Sequence, residues 1–165
     1  MVKILTEEEV TLVSLNVHLQ DSGFMTTIQY DVRILLHTSK GIGYYLTMVE
    51  GKKFIRIGTY LPLDKIRPEA ERNDFERRLN SEIFLPVFRL DADGELDVSY
   101  VMTFQHGLIA GQFVSIIHRF SSLLDYIVTE HNSNNIIRFD QIDAEADGQE
   151  STIDFNERPN GMLLN

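Results

Sequence analysis

The feature that most limits what this chain can become is an apolar stripe late in the sequence. Ile109, Phe113, Ile116, Ile117, Phe120, Leu123, Leu124, Ile127 and Val128 recur at helical spacing, while Ser115, His118, Ser122, Asp125 and Thr129 fall on the opposite side. At 1.5 Å per residue, a helix from Ile109 to about Glu130 is roughly 33 Å long, enough to cross a whole sheet. A stripe that long needs a broad apolar partner, and the preceding residues read as one. Ile28, Tyr30, Val32, Ile34 and Leu36 alternate with Gln29, Asp31, Arg33 and His37 as a half-buried strand. Lys40-Gly41-Ile42-Gly43 and Glu50-Gly51-Lys52 turn the chain into Tyr44–Val49 and then Phe54–Leu61, giving an antiparallel meander. Val87–Asp91 and Glu95–Phe104, joined by Ala92-Asp93-Gly94, add a hairpin.

Two shorter helices complete the expectation. Thr6 and Glu9 have the spacing of a capping box, which places the start of a first helix at Thr6. Val13, Leu15, Val17 and Leu19 contest it with the period of a strand. Pro68 suits the first turn of a second helix running through Glu69 to about Asn80, with Phe75 and Leu79 as its few apolar positions. The expected fold is α+β: a five-stranded antiparallel sheet with helices packed on one face, in the order α-β-β-β-α-β-β-α. With 165 residues the chain is read as one domain, residues 1–131, followed by an acidic C-terminal extension, residues 132–165. That extension carries seven carboxylates against Arg138 and Arg158, half of the formal net charge of −10, and reads as a solvated tail.

Charge and composition exclude several functions. A net charge of −10 repels phosphate backbones and anionic membranes, so neither nucleic acid nor membrane is an expected partner. No apolar run approaches the ~18 residues that span a bilayer, and Met1–Val13 has glutamates where a signal peptide needs an apolar core. With no cysteine there is no thiolate nucleophile or disulfide, which fits a reducing compartment, and the expected location is the cytoplasm.

No catalytic, metal or cofactor signature stands out. Asp91-Ala92-Asp93-Gly94 resembles part of a calcium loop, but that alignment puts Arg89 at the first ligand position, so it reads as a hairpin turn. Asp143, Glu145, Asp147, Gly148 and Asp154 fit the calcium-loop spacing better, though Glu150 takes the usual hydrophobic position and neither flank is amphipathic. His18, His37, His106, His118 and His131 lack zinc-site spacing and read as surface residues. No serine lies in a nucleophile elbow. Asp91 and Asp97 read as solubilising charge rather than an acid/base pair. The expectation is a protein that is not an enzyme and binds no cofactor or metal.

One feature points to binding. If the pleat buries Ile28, Tyr30, Val32, Ile34, Ile55, Ile57, Leu61, Leu96, Val98 and Tyr100 against the helices, the opposite face carries Leu35, Tyr45, Val49, Phe54, Tyr60 and Val101. That much apolar area on a wet face marks a protein-binding surface, for a heterologous partner, a homodimer or the acidic tail.

The element order, the stretch Phe75-Glu76-Arg77-Arg78-Leu79-Asn80, the segment from Phe88 to Val98 and Gly107-Leu108 opening the last helix together resemble the YbjN family of bacterial proteins. The segment from Thr6 to Phe24 is similar to that family's first helix, and the resemblance covers about Leu5 to Glu130. It implies the fold of type III secretion chaperones, which are small, acidic, cytoplasmic dimers that hold an extended partner segment. It also implies a role like that of the family, whose members are described as candidate sensory transduction regulators. The functional expectation is therefore a non-enzymatic protein-binding or chaperone-like regulatory module, homodimeric, with an unidentified protein partner. The alternative is a small-ligand or metal-responsive regulator using the acidic C-terminal region.

Overall fold

The computed structural model describes residues 2–49 and 51–139. Its main sheet is antiparallel and has six strands rather than five. These are β2 (Thr27–Gln29), β3 (Arg33–His37), β4 (Gly43–Val49), β5 (Phe54–Leu61), β6 (Val87–Leu90) and β7 (Leu96–Thr103), in the spatial order β2-β3-β4-β5-β7-β6. A two-stranded ribbon pairs β1 (Ile4–Leu5) with β8 (Leu108–Ile109). The helices are α1 (Leu12–Asp21), α2 (Glu69–Glu82) and α3 (Ala110–Glu130). The element order is thus β-α-β-β-β-β-α-β-β-β-α, and it corrects the simpler order expected.

The sixth strand comes from a turn hidden in the expected strand at Ile28–His37. Tyr30 and Asp31 both adopt left-handed φ values, 53° and 58°, and the Val32 amide donates to the Gln29 carbonyl at 3.2 Å. Ile28 then pairs with Ile34 and Gln29 with Arg33. Paired residues lie on one face, and here their numbers differ by an even count, so the alternation of apolar and polar residues runs unbroken through the hairpin. Tyr30 and Val32, expected in the core, are instead 83% and 59% exposed at the turn.

The first helix also starts later than expected. Thr6 and Glu9 do exchange capping bonds: the Thr6 amide donates to Glu9 Oε2 at 2.8 Å, and the Glu9 amide to Thr6 Oγ1 at 3.4 Å. They close only a turn. A second box, in which Thr11 Oγ1 accepts from the Ser14 amide and Ser14 Oγ from the Thr11 amide, caps α1. Its strand-like alternation resolves into two stripes, since residues four apart share a helix face. Leu15 and Leu19 are fully buried, whereas Val13 and Val17 face outward.

The core lies on one face of the sheet. Leu15 and Leu19 of α1, Phe75 and Leu79 of α2, and Phe113, Ile117, Phe120, Leu124 and Ile127 of α3 form one cluster with Ile34, Tyr44, Leu46, Ile55, Ile57, Leu96 and Val98. Among the expected inner-face residues, Ile28 and Tyr100 are partly buried at its rim. The core also runs past His131. Ile136 and Ile137 are buried, the Asp64 amide donates to the Ile136 carbonyl, and the Arg138 amide to the Pro62 carbonyl, both at 2.8 Å. The start of the expected solvated extension is therefore part of the packed body. Asn132 holds this return by accepting from the Ile137 amide at 2.7 Å and donating to its carbonyl at 3.1 Å.

Candidate functional site

Strand register fixes which side chains share the face away from the helices. Leu35 pairs with Tyr45, Val49 with Phe54, Phe54 with Thr103, Arg56 with Val101 and Tyr60 with Asp97. Leu35, Tyr45, Val49, Phe54, Tyr60 and Val101 thus lie together on the outer face, and none belongs to the core cluster or its rim. Phe54 is 40% and Val101 50% exposed, and the other four are partly buried. Val87, paired with Ser99, extends the patch to the β6 edge.

Sequence reasoning put charges on this face, Arg33 and Asp97 among them, but missed how they are paired. Arg33, Arg56 and Arg89 occupy outward positions of β3, β5 and β6, and Asp97 an outward position of β7. Asp97 was expected to be solvated but is only 5% exposed. Arg56 Nη2 donates to its Oδ1 at 2.6 Å, and Arg89 Nη2 lies 3.6 Å from its Oδ2. Two guanidiniums thus replace the water that the carboxylate loses. Gly58 makes the first contact possible. A Cβ there would stand 3.1 Å from Arg56 Nη1 and 3.0 Å from the Val98 carbonyl oxygen, so the guanidinium reaches Asp97 across a bare stretch of backbone. Arg33 Cζ lies 4.2 Å from the Tyr45 ring centroid and 5.8 Å from that of Tyr30, within cation–π range, while its Nε donates to Gln29 Oε1 at 3.1 Å. The parity that placed Leu35 and Phe54 also finds Arg33 and Arg56, each two positions from one of them, and Arg89 stands two positions from Val87.

The β6 edge is closed by α2. Asn80 Nδ2 donates to the Phe88 carbonyl at 2.8 Å and its Oδ1 accepts from the Phe88 amide at 3.0 Å, so the side chain takes the place of a neighbouring strand. The surface on offer is therefore the face of the sheet rather than this edge.

Other candidates have structural surroundings. Asp91 Oδ1 accepts from the amides of Asp93 and Glu95, both at 2.9 Å, with Gly94 at φ 78°, which is a hairpin turn. The His118 ring lies tilted against that of Phe24 at 4.4 Å, and His131 meets the Tyr126 ring at 5.3 Å. Among the described residues no three His, Cys, Asp or Glu side chains are grouped to hold a metal ion. The calcium-like spacing at residues 143–154 lies outside the described residues. On the inner face, burial pushes the Tyr44 hydroxyl up to about 12, opposed by Ser121 and assisted by the charge of Asp125. At the surface, the Thr6 amide holds the Glu9 carboxyl below its ordinary value. No helix of the described residues is long and apolar enough to cross a membrane.

No protein-family model matches this chain, and no curated protein matches it. Among solved structures it is similar to the crystal structure of YbjN from E. coli, described as a candidate transcription regulator. The TM-score is 0.68 at 15% sequence identity, covering 81% of this chain and 98% of that one. At that identity the likeness establishes shared architecture and leaves activity to be argued from side chains. The resemblance seen in the sequence is thus shown at the level of fold, and the chain has the fold of YbjN.

Proposed function

We propose that this chain is a non-enzymatic regulatory module that binds a protein through the outer face of its sheet. The observation that carries the reading is the gathering of Leu35, Tyr45, Val49, Phe54, Tyr60 and Val101 on one face, apart from the core that the three helices cover. Contiguous apolar area of this kind supplies affinity, and the surrounding charge supplies solubility and orientation. Aromatic residues and arginine, which dominate binding energy at protein interfaces, both occur here. The YbjN-like fold is consistent with a regulatory role of this type.

The test is replacement of Tyr45, Phe54 and Tyr60 with serine in the full chain. These side chains lie outside the core, so cooperative thermal unfolding is retained while proteins captured from the host lysate by the parent chain are lost. A capture profile identical to the parent's, from a variant that unfolds cooperatively, overturns the assignment of this face. A homodimer is the second partner expected. Light scattering at micromolar concentration distinguishes it, because a mass near 19.0 kDa is that of one chain.

A further inference from the structure

The helix that covers the β6 edge has little of its own to hold it there. Along 14 residues α2 buries Phe75 and Leu79, and its start at Pro68 has no side-chain cap. Its polar hold on the sheet is Asn80, which donates to the Phe88 carbonyl and accepts from the Phe88 amide. Arg72 lies over Gly94 of the neighbouring hairpin, with its Nε buried and without a hydrogen bond. A helix this polar draws its stability from what packs around it. Here that includes the return segment, residues 132–138.

That segment runs along α2 from one end to the other. Where it starts, His131 Nδ1 lies 3.6 Å from Oε2 of Glu82, the last residue of α2. Where it finishes, the Asp64 amide donates to the Ile136 carbonyl and the Arg138 amide to the Pro62 carbonyl, both at 2.8 Å, in the loop that leads into α2. Arg67 fastens the middle by donating from Nη2 to the Asn134 carbonyl. A cleft with Glu71, Asp74, Phe75 and Arg78 on one side and Asn134 and Ile136 on the other separates the helix from the segment. Seven extended residues reach ~23–25 Å, and a helix of 14 residues is ~21 Å long, so the span is complete. The joint between α2 and β6 is strained: Leu85 holds φ 107°, and its neighbour Phe84 is 85% exposed. Strain of that kind is relieved when the surrounding structure releases the residue.

We infer that residues 132–138 are a strap whose release from Pro62–Asp64 frees α2, so that strap and helix lift together and uncover the β6 edge. Lifting α2 takes Asn80 away from Phe88, and an edge without that side chain offers its amide and carbonyl to an extended polypeptide. The fold thus carries a gate on a sheet edge that the closed form seals. The gate is independent of the outer-face reading, because neither the strap nor α2 touches that face's apolar residues.

Native-state amide hydrogen exchange on the full chain tests the gate. The Phe88 amide, held by Asn80, should exchange together with those of Asp64, Ile137 and Arg138 and with the same dependence on urea. The amides of Ile57 in the sheet and Leu124 in α3 should exchange later, with global unfolding. A lock is available. Leu63 and Ile137 face each other between the two backbone bonds of the strap, a pair whose Cα atoms lie ~4.5 Å apart, which suits a disulfide. The chain has no other cysteine to compete. In the double variant Leu63→Cys, Ile137→Cys, oxidation should slow the Phe88 amide by about tenfold or more, and a reductant should restore it. Comparing two redox forms of one variant cancels the cost of the removed side chains. Asn132→Ala removes two hydrogen bonds from the strap and should speed the Phe88 and Arg138 amides equally, by about tenfold. A Phe88 amide indifferent to both changes overturns the inference. So does one that exchanges only with Ile57, at the urea dependence of global unfolding.

Discussion

The two faces of the six-stranded sheet are built from alternate residues of the same strands, yet they solve different problems. Inside, Ile34, Leu46, Ile55, Ile57 and Val98 are completely removed from water and meet three helices. Outside, the intervening positions hold aromatic rings, three arginines and a carboxylate kept dry by guanidiniums. The inner face is held by shape and area, and the outer face by a few directional contacts that leave apolar surface between them. Stability and binding are thus segregated by the pleat, so a one-residue change of position along a strand changes what a substitution does.

Leu46→Ala against Leu35→Ala is the strongest way to break that contrast. Leu46 is fully buried, and its truncation leaves a cavity costing about 2–5 kcal/mol. Leu35, three strand-pair rungs from the same turn but facing outward, costs less than about 1 kcal/mol and weakens partner capture instead. Urea denaturation of the two variants measures both costs. Similar losses in the two would mean that the outer face is a second core.

The inner face also buries a phenol, and it yields a pH signature. Tyr44 is fully buried, and its hydroxyl lies beside Ser121 and Asp125 without meeting either in full hydrogen-bond geometry. Folded, the phenol keeps its proton to about pH 12, whereas in the unfolded chain it ionises near 10. Between those values the unfolded state binds fewer protons than the folded one, so stability falls as pH rises through this window and is fully present below it. The difference corresponds to about 2–3 kcal/mol. Denaturation at pH 8 and at about 11.5 should show that loss in the parent and not in Tyr44→Phe, since the other titrating groups are common to both. An equal alkaline loss in the two proteins would place its origin elsewhere.

Much of this division was legible in the sequence. The stripe of α3, the boundaries of β4 and β5, the hairpin at Asp91–Gly94 and the six apolar residues of the outer face all follow from local periodicity and turn chemistry, which act over a few residues. What escaped detection depends on contacts between distant residues. Asp97 reads as solvated charge until Arg56, 41 positions away, folds across Gly58 to meet it. Ile136 and Ile137 read as the start of a tail until Pro62, Leu63 and Asp64 offer them backbone partners. The capping signal at Thr6 was genuine but local, and the better-placed box at Thr11 took the helix.

Gly58→Ala tests the contact that spans two strands of the outer face. The added methyl group stands 3.0 Å from the Val98 carbonyl oxygen, which belongs to a paired strand and cannot retreat, and it crowds the Arg56 guanidinium. Overpacking of this kind costs about 1–3 kcal/mol. The loss should be coupled to Arg56, so that Arg56→Gln costs less in the Gly58→Ala background than in the parent. Additive losses would show that the glycine serves the backbone alone.

The smallest effect concerns the turn that alternation concealed. Tyr30 at φ 53° is a bulky residue in left-handed conformation, and 83% of it is exposed, so little packing offsets the strain. Tyr30→Asn keeps the backbone geometry with a residue that tolerates it, for a gain of about 1 kcal/mol. The Arg33 guanidinium, 5.8 Å from the Tyr30 ring centroid but 4.2 Å from that of Tyr45, retains its closer aromatic partner, so the outer face should keep its capture profile. A rise in thermal midpoint without a change in binding would confirm that the hairpin belongs to the scaffold. A loss of binding at unchanged stability would instead move Tyr30 into the interaction surface and extend that surface past β3 to the edge of the sheet.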